Sequence, residues 1–180
     1  MDPTGEMRRG KACIYEGGIR LPCLILWPGR IKPQTVSEEP ASGMDLLPTL
    51  CQLAGAKVPD DRTIDGVSML LMFEGERLER KMPMYFRWNG SWSDIKIAMR
   101  EGDWKLLADS GLEKFEMYNL CADTRELHDA AGLWLMAKFE EMKAKLRKLH
   151  AGGEADIPKD WRRGTAGRVR VDYRPTMSRQ

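Results

Sequence analysis

No apolar run in this 180-residue chain approaches the ~20 residues that cross a bilayer; the longest, around Leu24, Ile25, Leu26 and Trp27, is far too short. The opening MDPTGEMRRGK has no apolar core, so a signal peptide is not expected there. Cysteine is scarce and scattered. Cys13, Cys23, Cys51 and Cys121 form no C-x-x-C pair, and with only two histidines the usual zinc-ligand spacing is missing. Each cysteine sits among apolar residues and is expected to be a small buried hydrophobe. There is no P-loop, no G-x-G-x-x-G, no G-x-S-x-G and no H-E-x-x-H, which removes the commonest nucleotide, serine-hydrolase and zinc-protease signatures. A large excess of either charge is also missing: 29 basic and 27 acidic residues leave +2.

What is present suits a folded domain. Hydrophobic residues make up 42% and charged residues 31%, with 17 glycines and 10 prolines, which excludes collagen and global disorder. A chain of this length buries roughly 70% of its unfolded surface and needs no disulfide or metal staple. The charge is unevenly placed. From Lys159 to Gln180 seven basic residues face two acidic ones, so that segment carries +5 and residues 1–158 carry −3. A basic tail suits nucleic acid or an anionic surface. Trp161 and Tyr173 form no repeating stacking pattern, however, and the expectation is a solvated, flexible terminus.

Three patterns follow one another along the chain. Residues 24–27, between Pro22 and Pro28, read as a short strand buried on both faces. MDLLPTLCQLAG then reads as a helix with Asp45 as N-cap, Pro48 in its first turn and Gly55 as its stop; Leu46, Leu47, Leu50 and Leu53 form an apolar stripe. Over residues 83–120 the period changes to two. Met84 and Phe86, Ile95, Ile97 and Met99, Trp104 and Leu106, then Phe115 and Met117 alternate across turn-forming connectors. This predicts an antiparallel meander of four strands, polar on one face and covered on the other. Residues 133–150 return to helical spacing, with Leu135, Phe139, Met142, Leu146 and Leu149 on one stripe and Gly152 and Gly153 as the stop.

One stretch points to chemistry. GKACIYEGGIRLPCLILWPGRI, residues 10–31, resembles the segment G-K-x-x-x-[YW]-E-G-G-x-R-x-P…W-P-G of formylglycine-dependent sulfatases of the arylsulfatase A and N-acetylgalactosamine-6-sulfatase type. The similarity continues through ASGMDLLPTLCQLAGAKVP, DGVSMLLMFEGE, IAMREGDWKLL and FEMYNLCADTRELHD, covering roughly residues 8–150 in order. The resemblance implies an α/β, alkaline-phosphatase-like fold. Residues 1–80 would be the end of the large catalytic domain, 81–152 a C-terminal subdomain of four antiparallel strands and a packed helix, and 153–180 the basic tail.

It also implies that Lys11 contacts the sulfate group. A point-charge ammonium with three donors suits the tetrahedral anion whose oxygens gain charge as the ester breaks. Gly17 and Gly18 would let the backbone turn beside the substrate, and Glu16 with Arg20 would form an ion pair that holds the loop. Tyr15, Trp27, Trp88, Trp92 and Trp104 read as packing residues.

Much of the family pattern is missing from this stretch. The nucleophile cysteine sits in C-x-[PA]-x-R. Only Cys121 has an arginine four residues on, with Asp123 where proline or alanine belongs, and it is read as coincidental. The family's calcium ion has no family ligand in this chain, so neither calcium nor another cofactor is expected bound here. His128 and His150 match neither family histidine and are expected at the surface. The leading expectation is therefore a sulfatase-family segment: its full-length parent hydrolyses sulfate monoesters, and the isolated chain is inactive. Its partners would be that sulfate ester, a missing N-terminal half or a second copy, with no membrane span and nucleic acid not expected. The alternatives are a non-catalytic interaction module or a binder of nucleic acid or anionic surfaces through the tail. Because the strand at 24–27 would have unpaired edges, residues 83–150 are expected to be compact and residues 1–60 loose.

Overall fold

A computed structural model describes residues 7–132 and 135–156. All but four residues of the expected tail lie outside the described part. The alternation over residues 83–120 folds as read, into β1 (Met84–Arg87), β2 (Ile95–Glu101), β3 (Trp104–Asp109) and β4 (Phe115–Asn119). They form one antiparallel sheet in the order β1-β2-β3-β4. A bulge between Ile95 and Ile97 lets both point to the interior, although they flank opposite faces.

Both faces of this sheet are covered, which corrects the expected polar, solvent-facing side. On one face Ile97, Met99, Leu106, Ala108 and Met117 pack under the long helix α4 (Met136–Asp156) through Phe139, Met142 and Leu146. On the other, Ala98, Leu107 and Tyr118 pack under Cys13, Ile14 and Tyr15. The covering element is a strap, residues 12–19, that ends in the single-turn helix α1 (Glu16–Ile19). Burial of residues 12–16 also overturns the expectation that all of residues 1–60 are loose. Alternation does put polar side chains on the strap face, namely Arg100, Lys105 and Glu116. Lys105 is fully buried there and Arg100 and Glu116 are partly covered, because the strap brings them partners.

Helix α4 runs through Gly152 and Gly153 instead of stopping there. A helical glycine costs about 1 kcal/mol. The last turns are tied to the sheet by an Arg87–Glu154 ion pair and by a 2.9 Å hydrogen bond between the Tyr85 hydroxyl and His150 Nδ1. His150 is thereby partly covered, while His128 is exposed as expected.

Residues 24–27 are not a strand. Leu24 is 99% exposed and Leu26 89%, and the segment ends in a turn where Arg30 and Ile31 donate to the Trp27 carbonyl. A strand buried on both faces needs a hydrogen-bonding neighbour for its backbone. Among the described residues none pairs with it. Cys23 and Cys121 are likewise exposed and Cys51 is half-buried, so only Cys13 is the buried hydrophobe expected of all four.

Helix α2 (Leu46–Leu53) forms where read, but its inner side holds Pro48 and Thr49, and Leu46, Leu47, Leu50 and Leu53 face outward. Asp45 does not cap α2 with its side chain. It closes a capping box with Ser42 around the preceding 3₁₀ turn, Gly43–Asp45. The Asp45 carboxylate is fully buried and accepts from Ser42 N (2.7 Å), Val67 N (3.0 Å) and both terminal nitrogens of Arg80 (2.9 and 2.5 Å). Thr49 extends the knot, donating to the Asp45 carbonyl and accepting from Met69 N, just before the short helix α3 (Leu70–Phe73). This hub joins three loops without a large apolar core.

Candidate functional site

The strap is built so tightly that its backbone has few choices. A Cβ on Gly17 would lie 2.7 Å from the Arg8 carbonyl oxygen, and one on Gly18 would lie 2.8 Å from that of Gly10 and closer still to that of Cys13. The two glycines are therefore required for space, because the chain packs backbone against backbone. They occupy the helical turn α1, not the sharp reversal expected. Arg9 (φ +59°) and Ala12 (φ +74°) both adopt the left-handed region, which costs a non-glycine residue roughly 1–2 kcal/mol. They bracket Gly10 and Lys11. Strained backbone of this kind persists where the surroundings over-determine it, and it gathers at functional sites.

Lys11 is exposed and, among the described residues, has no ion-pair partner. Its neighbours are anchored. Trp92 N donates to the Ala12 carbonyl at 2.8 Å, tying the strap to the β1–β2 loop. The Tyr15 hydroxyl donates to Glu116 at 2.9 Å, and the Tyr118 hydroxyl donates to the same carboxylate at 2.7 Å. Arg8 completes this cluster: it donates to Glu116, to the Tyr118 hydroxyl and to the Glu126 carbonyl, and it stacks 4.2 Å from the Tyr15 ring centroid. Burial, and then the Glu116 charge, push both phenols well above the ordinary tyrosine range.

The expected Glu16–Arg20 ion pair is not formed. Arg20 is exposed, and Glu16 turns inward to sit 2.8 Å from Lys105 Nζ and 3.8 Å from Arg100 Nη1. The reason lies in the sheet register. Arg100 and Lys105 are directly opposite each other on β2 and β3, a like-charge pair that is unfavourable by itself. Glu16 is set against both. Lys105 is fully buried and also lies 2.9 Å from Glu126 Oε1, while Glu126 Oε2 accepts from the Glu16 backbone N–H at 2.7 Å. Burial raises the Glu126 carboxyl, opposed by Lys105 and by that N–H.

The sequence thus located Glu16, Gly17 and Gly18 in one tight element and missed Lys105, Glu126, Arg8 and Glu116. The signal for Lys105 lies in REGDWKLL: a two-residue turn places Arg100 and Lys105 on one face, where two cations call for an anion from elsewhere. The pieces around Cys121 form a surface turn, with Asp123 accepting from the backbone N–H groups of Leu127 and His128.

Calcium wants six to eight oxygen ligands. Among the described residues no group of three or more His, Cys, Asp or Glu is placed to hold a metal ion. The buried carboxylates Glu16, Glu126 and Asp45 are already committed to lysine, arginine and backbone N–H partners. The described residues do not fit that ion.

A meander under one long helix, with a glycine strap on its far face, matches solved sulfatase-type structures. A protein of glycosaminoglycan metabolism in Bacteroides thetaiotaomicron superposes with a TM-score of 0.61 at 22% identity, over 84% of this chain and 32% of that one. Ps i-CgsB, solved in complex with k-i-k-neocarrahexaose, gives 0.58 at 26% identity over 85% and 37%. The fold class is therefore the C-terminal part of an α/β sulfatase. The chain belongs to the family described as N-sulphoglucosamine sulphohydrolase, C-terminal, whose model matches residues 7–152. Among curated proteins it is similar to mouse steryl-sulfatase, 45% identical over 73 residues covering 41% of this chain and 12% of that protein. It is also similar to human arylsulfatase A (43% over 83 residues; 46% and 16%) and to dog N-acetylgalactosamine-6-sulfatase (38% over 102 residues; 57% and 19%). The chain spans under a fifth of the length of these relatives. Among the described residues no helix is long and apolar enough to cross a membrane.

Proposed function

We propose that this chain is the C-terminal portion of a hydrolase of sulfate monoesters and that Lys11 is its contribution to sulfate binding. The observation that carries the reading is Lys11 itself: an exposed ammonium with no ion-pair partner among the described residues, held between two left-handed residues at the head of a strap whose residues 12–16 are buried. Strain and anchoring serve to present that one charge. An ammonium at this place binds the non-bridging oxygens of a sulfate ester and stabilises the charge that builds as the S–O bond breaks.

The remaining machinery, a nucleophile and the groups that move protons, belongs to the larger portion found in the relatives. The outer surface suits such a neighbour. Leu24, Leu26, Val36, Leu46 and Leu50 are each exposed within residues 21–53, apolar side chains that would meet the rest of the α/β domain. Alone, the chain turns over no sulfate ester.

The test supplies the N-terminal portion, fused or co-expressed, and follows release of nitrophenol from its sulfate. Lys11→Ala then lowers kcat/KM by roughly 10²–10³-fold, the scale of one lost transition-state charge partner. Thermal stability stays unchanged, because an exposed lysine carries little packing. Unchanged kcat/KM refutes the role of Lys11, and turnover by the purified chain alone refutes the division of labour.

A further inference from the structure

The fully buried Lys105 has no part in the reading above, and no surface consideration explains it. A buried ion pair is weak support for stability, because desolvation of the charges offsets most of their attraction. Here the arrangement is more costly still, since β2 and β3 set Arg100 directly across from Lys105. It is tolerable only when two carboxylates arrive from outside the sheet. One comes from the strap as Glu16, and the other from the loop after β4 as Glu126.

The strap carboxylate has one place to go. Glu16 Oε1 lies 2.8 Å from Lys105 Nζ, and the Glu16 backbone N–H donates 2.7 Å to Glu126 Oε2, so the same residue is gripped by side chain and by main chain. A shift of the strap by one residue would leave Lys105 facing only Glu126, would remove the Tyr15–Glu116 hydrogen bond, and would drive a side chain into the space that Gly17 and Gly18 leave open. Lys11 sits five residues before Glu16, and the intervening residues 12–15 are all buried.

We propose that Lys105 is a positioning residue for Lys11: through Glu16, with Glu126 as the second clamp, it sets the register of the strap and so the place where the Lys11 ammonium meets sulfate. The proposal rests on the sulfate-contact reading of Lys11. It adds that the C-terminal sheet supplies an internal cation that determines the geometry of a charge on its outside. Glu126 and Lys105 touch no substrate; they act through the strap.

Two measurements test it. In the chain itself, Lys105→Met keeps the aliphatic bulk and removes the charge. Amide hydrogen exchange over residues 11–19 then accelerates at least tenfold while β2, β3 and the Phe139–Leu146 face of α4 keep their protection. Uniform acceleration over sheet and strap alike, or no change at all, overturns the proposal. Should Lys105→Met fold poorly, the triple variant Lys105→Met, Glu16→Gln, Glu126→Gln removes all three charges and so leaves none of them buried and uncompensated; it folds, and residues 11–19 still exchange fast. A protected strap in the triple variant overturns the proposal equally.

In the enzyme completed with its N-terminal portion, Lys11→Ala, Lys105→Met and the double variant form a cycle in kcat/KM. If Lys105 acts through Lys11, Lys105→Met costs at least tenfold in wild-type background and less than threefold once Lys11 is alanine. Losses that multiply overturn the positioning role and leave Lys105 a structural residue. An unaltered Lys11→Ala variant is a separate outcome: it removes the sulfate-contact reading and the proposal built on it, whatever the strap does.

Discussion

Replacing Arg80 by methionine tests how the α2 region holds together. Asp45 is 0% exposed and the Arg80 side chain 13%, and the two share two close N–O contacts at 2.9 and 2.5 Å. Burial alone would raise the Asp45 carboxyl, but the Arg80 hydrogen bonds and the Val67 and Ser42 N–H groups bring it below the usual carboxylate range. Methionine keeps most of the bulk and leaves a buried carboxylate with its Ser42 and Val67 N–H donors but no cation, which costs about 3–5 kcal/mol. The two apolar clusters of the sheet draw no core residue from 21–83, so this loss falls on the loops around α2 and not on the sheet. At 1.36 kcal/mol per factor of ten, the Val67 and Met69 amides, which donate to Asp45 and Thr49, should exchange roughly 10²- to several 10³-fold faster. Amides of β2 and β3 should keep their rates. Native-state hydrogen exchange with mass-spectrometric readout resolves the two regions. Acidification adds a sign check: a depressed carboxyl contributes stability that is present above its unfolded value near 3.9 and is lost as pH falls through the folded one. In the methionine variant that acid-labile contribution should vanish. A shift under tenfold at Val67 and Met69 would refute the reasoning, for it would mean that water reaches Asp45.

Two further outcomes follow from the strap. Gly18→Ala places a methyl group against the Cys13 carbonyl, where backbone must move, and should lower the thermal midpoint by several degrees; an unchanged midpoint would show that the strap is not docked. Tyr15 and Tyr118, raised first by burial and then by Glu116, should stay protonated past pH 11 when absorbance of the phenolate is followed. Because a raised phenol adds stability that is present below about pH 10 and is lost as pH climbs toward the folded value, urea midpoints should fall in alkali. Tyr15→Phe should soften that alkaline loss.

Period-two alternation was enough to locate the four strands, because each strand's own residues carry the signal and short connectors of two to seven residues leave a meander little choice of partner. The stripe Leu135, Phe139, Met142 and Leu146 likewise announced α4, since helical spacing is local. The motif around Lys11, Glu16, Gly17 and Gly18 was legible as a piece of a family pattern, and its glycines proved to be where backbone meets backbone.

What local pattern does not contain is the identity of the neighbour. Residues 24–27 have the composition of a buried strand, yet no strand of the described chain pairs with them, and they lie exposed. Gly152 and Gly153 read as a stop, yet Arg87 and His150 contacts carry the helix past them. Glu16 was matched to Arg20 by closeness in sequence. Its true partner, 89 residues away, is Lys105. The alternation already marked a polar face on the sheet, but only the tertiary structure decided that a strap from the N-terminal side would cover it. Sequence determines which residues an element can offer on each face; burial of a charge is settled by which distant element brings the opposite charge, and that is a property of the packed chain alone.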